Sequence, residues 1–139
     1  MTRYFVDTNV FLRTLIREDE KAFKDCRDFL TAIKNNKIDG ITSNFVLTEI
    51  VWTLASYYNF PKKNIVRAIE SIINLSGLKI VNGCDIKYAL ALYKKKSVKF
   101  VDALLTSIEE LKNKEWVIVS YDKDFDKLGV VRKEPGTLV

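Results

Sequence analysis

Trp116-Val117-Ile118-Val119 is an uninterrupted apolar run, and the polar residues Ser120-Tyr121-Asp122 follow it directly. An unbroken apolar run of this length is typical of a strand that is buried on both faces, as in a parallel sheet. Other short runs of β-favouring residues lie at 4–6, 41–42, 78–81 and 130–131. The predicted strands are therefore brief and widely separated along the chain.

Segments with apolar residues at helical spacing lie between these strands. They cover residues 10–16, 20–35, 45–58, 61–76, 85–95 and 101–111. Single strands that alternate with helices predict a parallel sheet with helices on both faces. We therefore expect one α/β domain over residues 1–139, with three α/β/α layers and a central parallel sheet. The helix over 45–58 is apolar on nearly every side, so we expect it to be largely buried.

The composition excludes several kinds of active site. The chain has 139 residues, a formal charge of +5 and no histidine. It therefore cannot contain a Ser-His-Asp triad, a Cys-His pair or a histidine-bearing zinc site. Cys26 and Cys84 match no metal-binding spacing, and we expect both to be free thiols. No stretch resembles a signal peptide or a membrane span, which predicts a soluble, cytoplasmic protein.

Acidic residues follow two of the predicted strands. Asp7 ends the first strand, Asp122 comes shortly after Val119, and Asp124 lies just beyond it. The functional crevice of an open parallel sheet lies at the carboxyl ends of its strands. Each acid also has a purely structural explanation, because Asp7 is a suitable helix N-cap and Asp122 is suited to an Asx turn.

Two further acids belong to predicted helices. Glu49 is the one acid on the apolar helix over 45–58, where a buried carboxylate costs several kcal/mol unless it is paired or bound to a ligand. Asp102 lies in the first turn of its helix, where it would also complement the helix dipole. Carboxylates that gather without a histidine repel one another, and a divalent cation removes that repulsion. Mg²⁺ or Mn²⁺ suits such a cage of oxygen ligands and activates a bound water.

Other polar and basic residues are candidates for contacts with substrate or with the activated water. Asn9, Ser43 and Ser120 lie near the strand ends, although capping and turn formation also explain them. Lys96 and Lys99 belong to a basic segment that leads into Asp102 and suits a polyanionic substrate. The competing explanation for these lysines is a solvated helix end.

Four acidic motifs spread across nearly the whole chain. They are Phe5-Val6-Asp7-Thr8-Asn9-Val10, Thr48-Glu49-Ile50-Val51-Trp52, Phe100-Val101-Asp102-Ala103-Leu104-Leu105 and Ser120-Tyr121-Asp122-Lys123-Asp124-Phe125. In this order they resemble the PIN-domain family, and within it the small VapC-type ribonuclease toxins of toxin–antitoxin pairs.

The resemblance implies an endoribonuclease that depends on Mg²⁺ or Mn²⁺. It implies Asp7 and Asp102 as metal ligands, and Glu49 as a residue that holds the metal or the activated water. It leaves open whether Asp122 or Asp124 is the fourth acid. It further implies a homodimer, an RNA substrate and an antitoxin protein that lies along the active groove.

Three other functions are compatible with the sequence. A housekeeping RNA-processing nuclease or a DNA-directed nuclease would use the same metal chemistry. A non-catalytic nucleic-acid-binding module would explain the basic charge but would leave Glu49 and the gathering of acids unexplained.

Overall fold

The computed structural model describes all 139 residues and contains a five-stranded sheet. The strands are β1 (Arg3–Val6), β2 (Asp39–Ser43), β3 (Leu78–Val81), β4 (Trp116–Val119) and β5 (Arg132–Lys133). Their spatial order is β3-β2-β1-β4-β5, and every neighbouring pair is parallel. The predicted parallel α/β architecture is confirmed.

Helices connect the strands. They are α1 (Thr8–Leu15), α2 (Glu20–Lys34), α3 (Asn44–Ser56), α4 (Lys62–Ile73), α5 (Ile86–Lys95), α6 (Phe100–Thr106), α7 (Glu109–Lys112) and α8 (Asp124–Lys127), with a final 3₁₀ turn at Pro135–Thr137. None of them combines the length and the apolar composition that crossing a membrane requires. Helix α1 packs against α2 and α3, whereas α6 packs against α5, α7 and α8.

The centre of the sheet forms the middle of the hydrophobic core. Phe5 of β1 lies in register with Ile41 of β2 and with Ile118 of β4, and all three side chains are buried. Because β1 is central, its carboxyl end lies between those of β2 and β4. Cys26 is buried and Cys84 is half-buried, and both are free thiols, as expected.

The predicted helix over 101–111 is divided in two. Helix α6 ends at Thr106, and α7 begins at Glu109. The Ser107 hydroxyl donates to the Leu104 carbonyl at 2.6 Å and accepts from the Asp85 amide at 2.9 Å. These bonds compete with the continuation of the helix, which explains the break.

The last strand lies two residues beyond its predicted position at 130–131. The main chain pairs Ile118 with Arg132 and Val119 with Lys133. The Arg132 side chain reinforces this register, because it donates to the Ser120 carbonyl oxygen at 2.9 Å. The contact between the Arg132 side chain and the Ser120 carbonyl thus favours a strand at 132–133 rather than at the apolar residues 130–131.

Helix α3 is less buried than its composition predicts, and that expectation was wrong. Val46, Ile50 and Leu54 face the core, but Trp52 is 66% exposed and Val51 is 39% exposed. The three core residues lie at the spacing of one helix face. No other element of the chain covers the opposite, equally apolar face.

Candidate active site

A polar cavity of about 190 Å³ opens at the carboxyl end of the central strands. Its lining consists of Asp7, Thr8, Asn9, Leu12, Glu49, Thr53, Lys99, Asp102 and Asp122. The acids come from four separate parts of the chain. The structure therefore brings together the four acids that the sequence analysis selected.

Asp7 is fixed by a network that crosses from β1 to β4. Its amide donates to the Val119 carbonyl at 3.1 Å, which brings Ser120 beside it. The Ser120 hydroxyl donates to Asp7 Oδ2 at 2.7 Å, and the Asn9 side-chain amide donates to Ser120 Oγ at 3.0 Å. Asp7 occupies the N-cap position of α1, but its side chain makes no capping hydrogen bond. Its carboxylate instead lines the cavity.

Glu49 approaches the same cavity from α3. It is half-buried, and its Oε1 accepts a hydrogen bond from the buried Thr8 hydroxyl. Thr8 follows Asp7 directly, so this bond connects the acid of α3 to the start of α1. Glu49 is not fully buried, because the outer face of α3 is exposed. Its carboxylate nevertheless lines the cavity.

Asp102 is 3% exposed and has a buried oxygen, Oδ2, without a hydrogen-bond partner. Buried polar atoms in folded proteins nearly always have a partner, and an unpaired one calls for an explanation. One carboxylate oxygen from each of Asp102, Asp122 and Asp124 lies within 4.8 Å of the other two. An oxygen-ligated cation fits this donor set, since Mg²⁺ and Mn²⁺ prefer carboxylate oxygens.

Asp122 both forms a turn and lines the cavity. Its Oδ1 accepts from the Asp124 amide at 2.9 Å, which is an Asx turn, while Oδ2 lies 3.2 Å from Lys99 Nζ. Asp124 is outside the cavity lining, and its carboxylate pairs with Lys127 at 3.2 Å. Asp122 therefore lines the cavity and Asp124 does not, although the carboxylates of both approach that of Asp102.

Burial, together with the proximity of the other acids, changes the protonation of these carboxylates. Burial raises the pKa of Asp7 to about 6, although the hydrogen bond from Ser120 opposes this rise. Burial, followed by the hydrogen bond and charge of Asp122, raises the pKa of Asp102 to about 8. Burial also acts to raise the pKa of Asp122, but hydrogen bonds from Asp102 and the Asp124 amide, together with the Lys99 charge, lower it overall. A bound cation would replace the protons that this site otherwise retains.

Two predicted substrate residues are not brought to the cavity. Ser43 is fully buried, and its hydroxyl accepts from the Val46 amide at 3.4 Å as the N-cap of α3. Lys96 is exposed at the C-terminal end of α5 and does not line the cavity. Asn9, Ser120 and Lys99, by contrast, belong to the cavity or to its hydrogen-bond network.

The sequence analysis missed two residues of the cavity wall. Leu12 and Thr53 line it one helical turn beyond Thr8 and Glu49, respectively. The spacing of four residues places each pair on one helix face, so this signal was available in the sequence. The cavity therefore extends away from the sheet between α1 and α3.

Comparison with known proteins agrees with this geometry. The sequence model of the PIN domain matches residues 4–131, which include all four acids of the cavity. The chain belongs to the PIN-domain family. A VapC ribonuclease from Aquifex aeolicus (strain VF5) is 27% identical to this PIN domain over 130 residues, which cover 94% of this chain and 95% of that protein.

Solved structures share the fold at low sequence identity. VapBC2 from Rickettsia felis, crystallised with a DNA fragment from its promoter, matches with a TM-score of 0.71 at 13% identity, covering 96% of this chain and 98% of that chain. VapC20 from Mycobacterium tuberculosis, a toxin that cleaves the sarcin-ricin loop, matches with a TM-score of 0.67 at 21% identity, covering 95% and 99%. These likenesses show that the PIN-domain fold extends over nearly the whole chain.

Proposed function

We propose that this PIN domain is a Mg²⁺- or Mn²⁺-dependent endoribonuclease and the toxin of a toxin–antitoxin pair. The observation that carries the proposal is the gathering of Asp7, Glu49, Asp102 and Asp122 in one cavity, where a buried Asp102 oxygen lacks a partner. The Aquifex relative is named a ribonuclease, and the structural neighbours include a toxin that cleaves RNA.

In the proposed mechanism, Asp7 and Asp102 would hold the cation, and Asp122 or Asp124 would complete the set. When bound, the cation supplies a water of lowered pKa and a positive charge for the phosphodiester. Glu49 faces the same space and orients the attacking water or shares in holding the cation. The Thr8 hydroxyl fixes the Glu49 carboxylate.

Lys99 is the proposed contact to a phosphate of the substrate. Burial acts to lower the pKa of Lys99, but the charges of Asp102 and Asp122 raise it overall, so the ammonium stays charged. Its side chain is 68% exposed at the edge of the cavity, 3.2 Å from Asp122. With the charge of the acids neutralised by a bound cation, the Lys99 ammonium would be free to pair with a phosphate of the substrate.

The charge pattern combines an acidic cavity with a basic exterior, which suits a nucleic-acid substrate, and the ribonuclease relative favours RNA. The chain has a net charge of +5 even though its active-site acids contribute negative charge. Lys and Arg side chains give phosphate affinity that does not depend on sequence. We place this activity in the cytoplasm.

The proposal includes two protein partners. An antitoxin would block the groove that contains the cavity. A second copy of the chain would cover the exposed apolar stripe of α5, where Ile86, Leu90 and Tyr93 are 64%, 44% and 48% exposed. Phe100 packs edge-to-face on Tyr93, with ring centres 5.5 Å apart, and extends this stripe. Exposed apolar patches of this kind mark protein interfaces.

Cleavage of defined RNA oligonucleotides with and without Mg²⁺ or Mn²⁺ tests the activity. We expect wild-type protein to cleave RNA only with the cation, and Asp7→Asn and Asp102→Asn to lose cleavage. Asp28→Asn is the matched control, because Asp28 lies on the surface of α2 and pairs with Lys24. Cleavage that survives EDTA, or variants as active as wild type, would refute the metal mechanism.

The same assay separates the alternatives. DNA oligonucleotides of the same sequence identify a DNA-directed nuclease. Tight RNA binding without cleavage under any metal condition identifies a non-catalytic binding module. Co-expression with the product of a small neighbouring gene tests the toxin role, since an antitoxin would restore growth that the nuclease inhibits.

A further inference from the structure

Arg13 is a cation beside the cavity that no part of the described mechanism uses. It lies on α1 one turn after Asn9, so the two side chains share a helix face. Its guanidinium carbon is 5.6 Å from the centre of the Tyr121 ring. Tyr121 directly follows Ser120, so the ring lies next to the network that fixes Asp7.

Tyr121 is held at both ends. Its backbone amide donates to Asn9 Oδ1 at 3.2 Å, and its hydroxyl is 3.5 Å from Cys26 Sγ. Arg13 therefore lies over a ring whose position is fixed by the active-site network on one side and by α2 on the other. Such a cation–π contact orients a guanidinium without using its hydrogen-bond donors.

Arg13 has no ion-pair partner. It is half-buried, yet it takes part in none of the salt bridges or side-chain hydrogen bonds, whereas the half-buried Arg132 pairs with Asp126 and Glu134. The Arg13 charge acts on Cys26, Tyr58 and Tyr121. Thiols and phenols are neutral at pH 7, and burial raises the pKa of all three.

Two carboxylates approach the same neighbourhood. The negative charge of Glu18 acts on Tyr58, but Glu18 is exposed and makes no ion pair with Arg13. The negative charge of Asp25 acts on Cys26 and Tyr121, but the Asp25 carboxylate pairs with Lys21 at 2.7 Å. The guanidinium therefore keeps its five N–H donors and its charge available to a ligand.

We infer that Arg13, supported by Tyr121, binds a backbone phosphate of the RNA strand next to the phosphodiester that is cleaved. The inference rests on the proposed function and names the residue that positions the substrate beyond the metal. A planar guanidinium binds phosphate through two parallel hydrogen bonds. Arg13 lies four residues after Asn9, or ~6 Å along the axis of α1 from this residue of the cavity.

A nucleic acid strand fits this place better than an acidic peptide. A phosphodiester that enters the cavity belongs to a chain, and that chain has to leave between α1 and α3. Leu12 and Thr53 form the walls of this path, and the Arg13 charge acts on Tyr58, which lies just after the end of α3. The next phosphate of the strand therefore meets an unpaired guanidinium.

The test measures RNA binding by full-length protein that carries Asp7→Asn to prevent cleavage. Fluorescence anisotropy of a labelled single-stranded RNA, in Mg²⁺ and across a range of KCl concentrations, gives log Kd against log salt. We expect Arg13→Ala to reduce the magnitude of this slope by about 0.7, the amount for one phosphate contact on a single strand. We also expect a loss of affinity of about tenfold or more at low salt, because that is the usual effect of removing one hydrogen bond to a charged group.

Two further variants make the test specific. Arg13→Lys keeps the charge but not the planar fork, so it should restore the salt slope and only part of the affinity. Arg17→Ala is the matched control, because Arg17 is 59% exposed and its charge pairs with Glu20. In cleavage assays with an otherwise wild-type chain, Arg13→Ala should raise KM and leave kcat nearly unchanged.

An unchanged salt slope for Arg13→Ala overturns the inference, and so does a lower melting temperature without any change of slope. Weaker binding of an acidic antitoxin with unaltered RNA binding also overturns it, in favour of a protein partner. These results leave RNA cleavage by the wild-type protein intact. If the wild-type protein itself neither binds nor cleaves RNA, the proposed function fails, and the inference fails with it.

Discussion

The Ser120 hydroxyl donates a 2.7 Å hydrogen bond to Oδ2 of Asp7, across 113 positions of the sequence. The Ser120 hydroxyl oxygen in turn accepts from the Asn9 side-chain amide at 3.0 Å and from the Asp122 backbone amide at 3.0 Å. One hydroxyl therefore joins the carboxylate at the end of β1, the first turn of α1 and the loop that carries Asp122.

Replacing Ser120 with alanine should remove these three hydrogen bonds without removing any acid. Asp7 would lose the hydrogen bond that lowers its pKa, and Asn9 and the Asp122 amide would lose their acceptor. Residues that orient metal ligands typically contribute about 10–100-fold to metal affinity or activity. We expect a loss of that size in kcat/KM and in Mg²⁺ affinity, measured by cleavage kinetics and calorimetry.

Ser71→Ala provides the control for this prediction. Ser71 lies on α4, and its hydroxyl donates only to the Ala68 carbonyl at 2.6 Å. Its loss should leave cleavage and Mg²⁺ affinity unchanged. If Ser120→Ala cleaves RNA as fast as Ser71→Ala, the hydroxyl network does not position Asp7.

The raised pKa values of Asp7 and Asp102 predict that metal-free protein becomes less stable as pH rises. In the folded state both acids hold protons to about pH 6 and about pH 8, whereas the ordinary value is 3.8. The stabilisation by these protons is complete below about pH 4 and is lost as pH passes through the folded pKa values. Asp122 has a lowered pKa and acts in the opposite direction, but only as pH falls below its ordinary value.

Thermal unfolding in EDTA between pH 5 and pH 8.5 measures this effect. Asp102→Asn should melt at a higher temperature than wild type at pH 8.5, and the two should converge near pH 5. Added Mg²⁺ should raise the melting temperature of wild type more at pH 8 than at pH 5, because protons compete with the cation. A wild-type protein whose stability in EDTA is flat across this range would contradict the crowded-acid description.

Much of the fold and of the site was predictable because both depend on local pattern. The run at 116–119 and the short strands at 4–6 and 78–81 indicate parallel strands, and parallel strands bring Asp7 and Asp122 to one edge. Element order therefore placed Asp7 and Asp122 together. Glu49 and Asp102 were added from their positions on apolar helices and from the resemblance to the PIN-domain family.

The remaining features depend on contacts between distant residues, which periodicity does not encode. The break at Ser107 results from its bond to the Asp85 amide, and the register of β5 results from the reach of Arg132 to the Ser120 carbonyl. The exposure of Trp52 depends on the absence of any covering element. Apolar composition cannot distinguish a face that a partner covers from a face that the core covers.

The apolar stripe of α5 should form the interface between two copies of the chain. Leu90 lies at its centre and is 44% exposed, so Leu90→Glu would place a charge within the interface. We expect wild-type protein to elute as a dimer in size-exclusion chromatography with light scattering, and Leu90→Glu to shift the mass toward the monomer. Ile73→Glu is the control, since Ile73 is 49% exposed on α4. A dimer that tolerates Leu90→Glu as well as Ile73→Glu would place the interface elsewhere.

Arg132 should fix the loop that carries Asp122 and should thereby affect metal binding from a distance. Its side chain is 12% exposed and donates to the Ser120 carbonyl at 2.9 Å, to Asp126 at 3.0 Å and to Glu134 at 3.2 Å. We expect Arg132→Ala to lower the free energy of unfolding by about 2 kcal/mol or more, since hydrogen bonds to charged groups contribute roughly that amount. It should also weaken Mg²⁺ binding, so that excess Mg²⁺ partly restores cleavage.

Two variants test whether the effect is specific to the hydrogen bonds of Arg132. They are Arg132→Lys and Arg3→Ala. Lysine retains the charge but cannot reach all three partners in a fixed fork, so it should recover only part of the stability and of the Mg²⁺ affinity. Arg3 pairs with Asp39 at 3.0 Å with 43% of its side chain exposed, and its loss should cost less than about 1 kcal/mol. If Arg132→Ala is destabilised but binds Mg²⁺ as tightly as wild type, the Arg132 hydrogen bonds do not position Asp122. The Ser120 hydroxyl alone would then fix the position of Asp122.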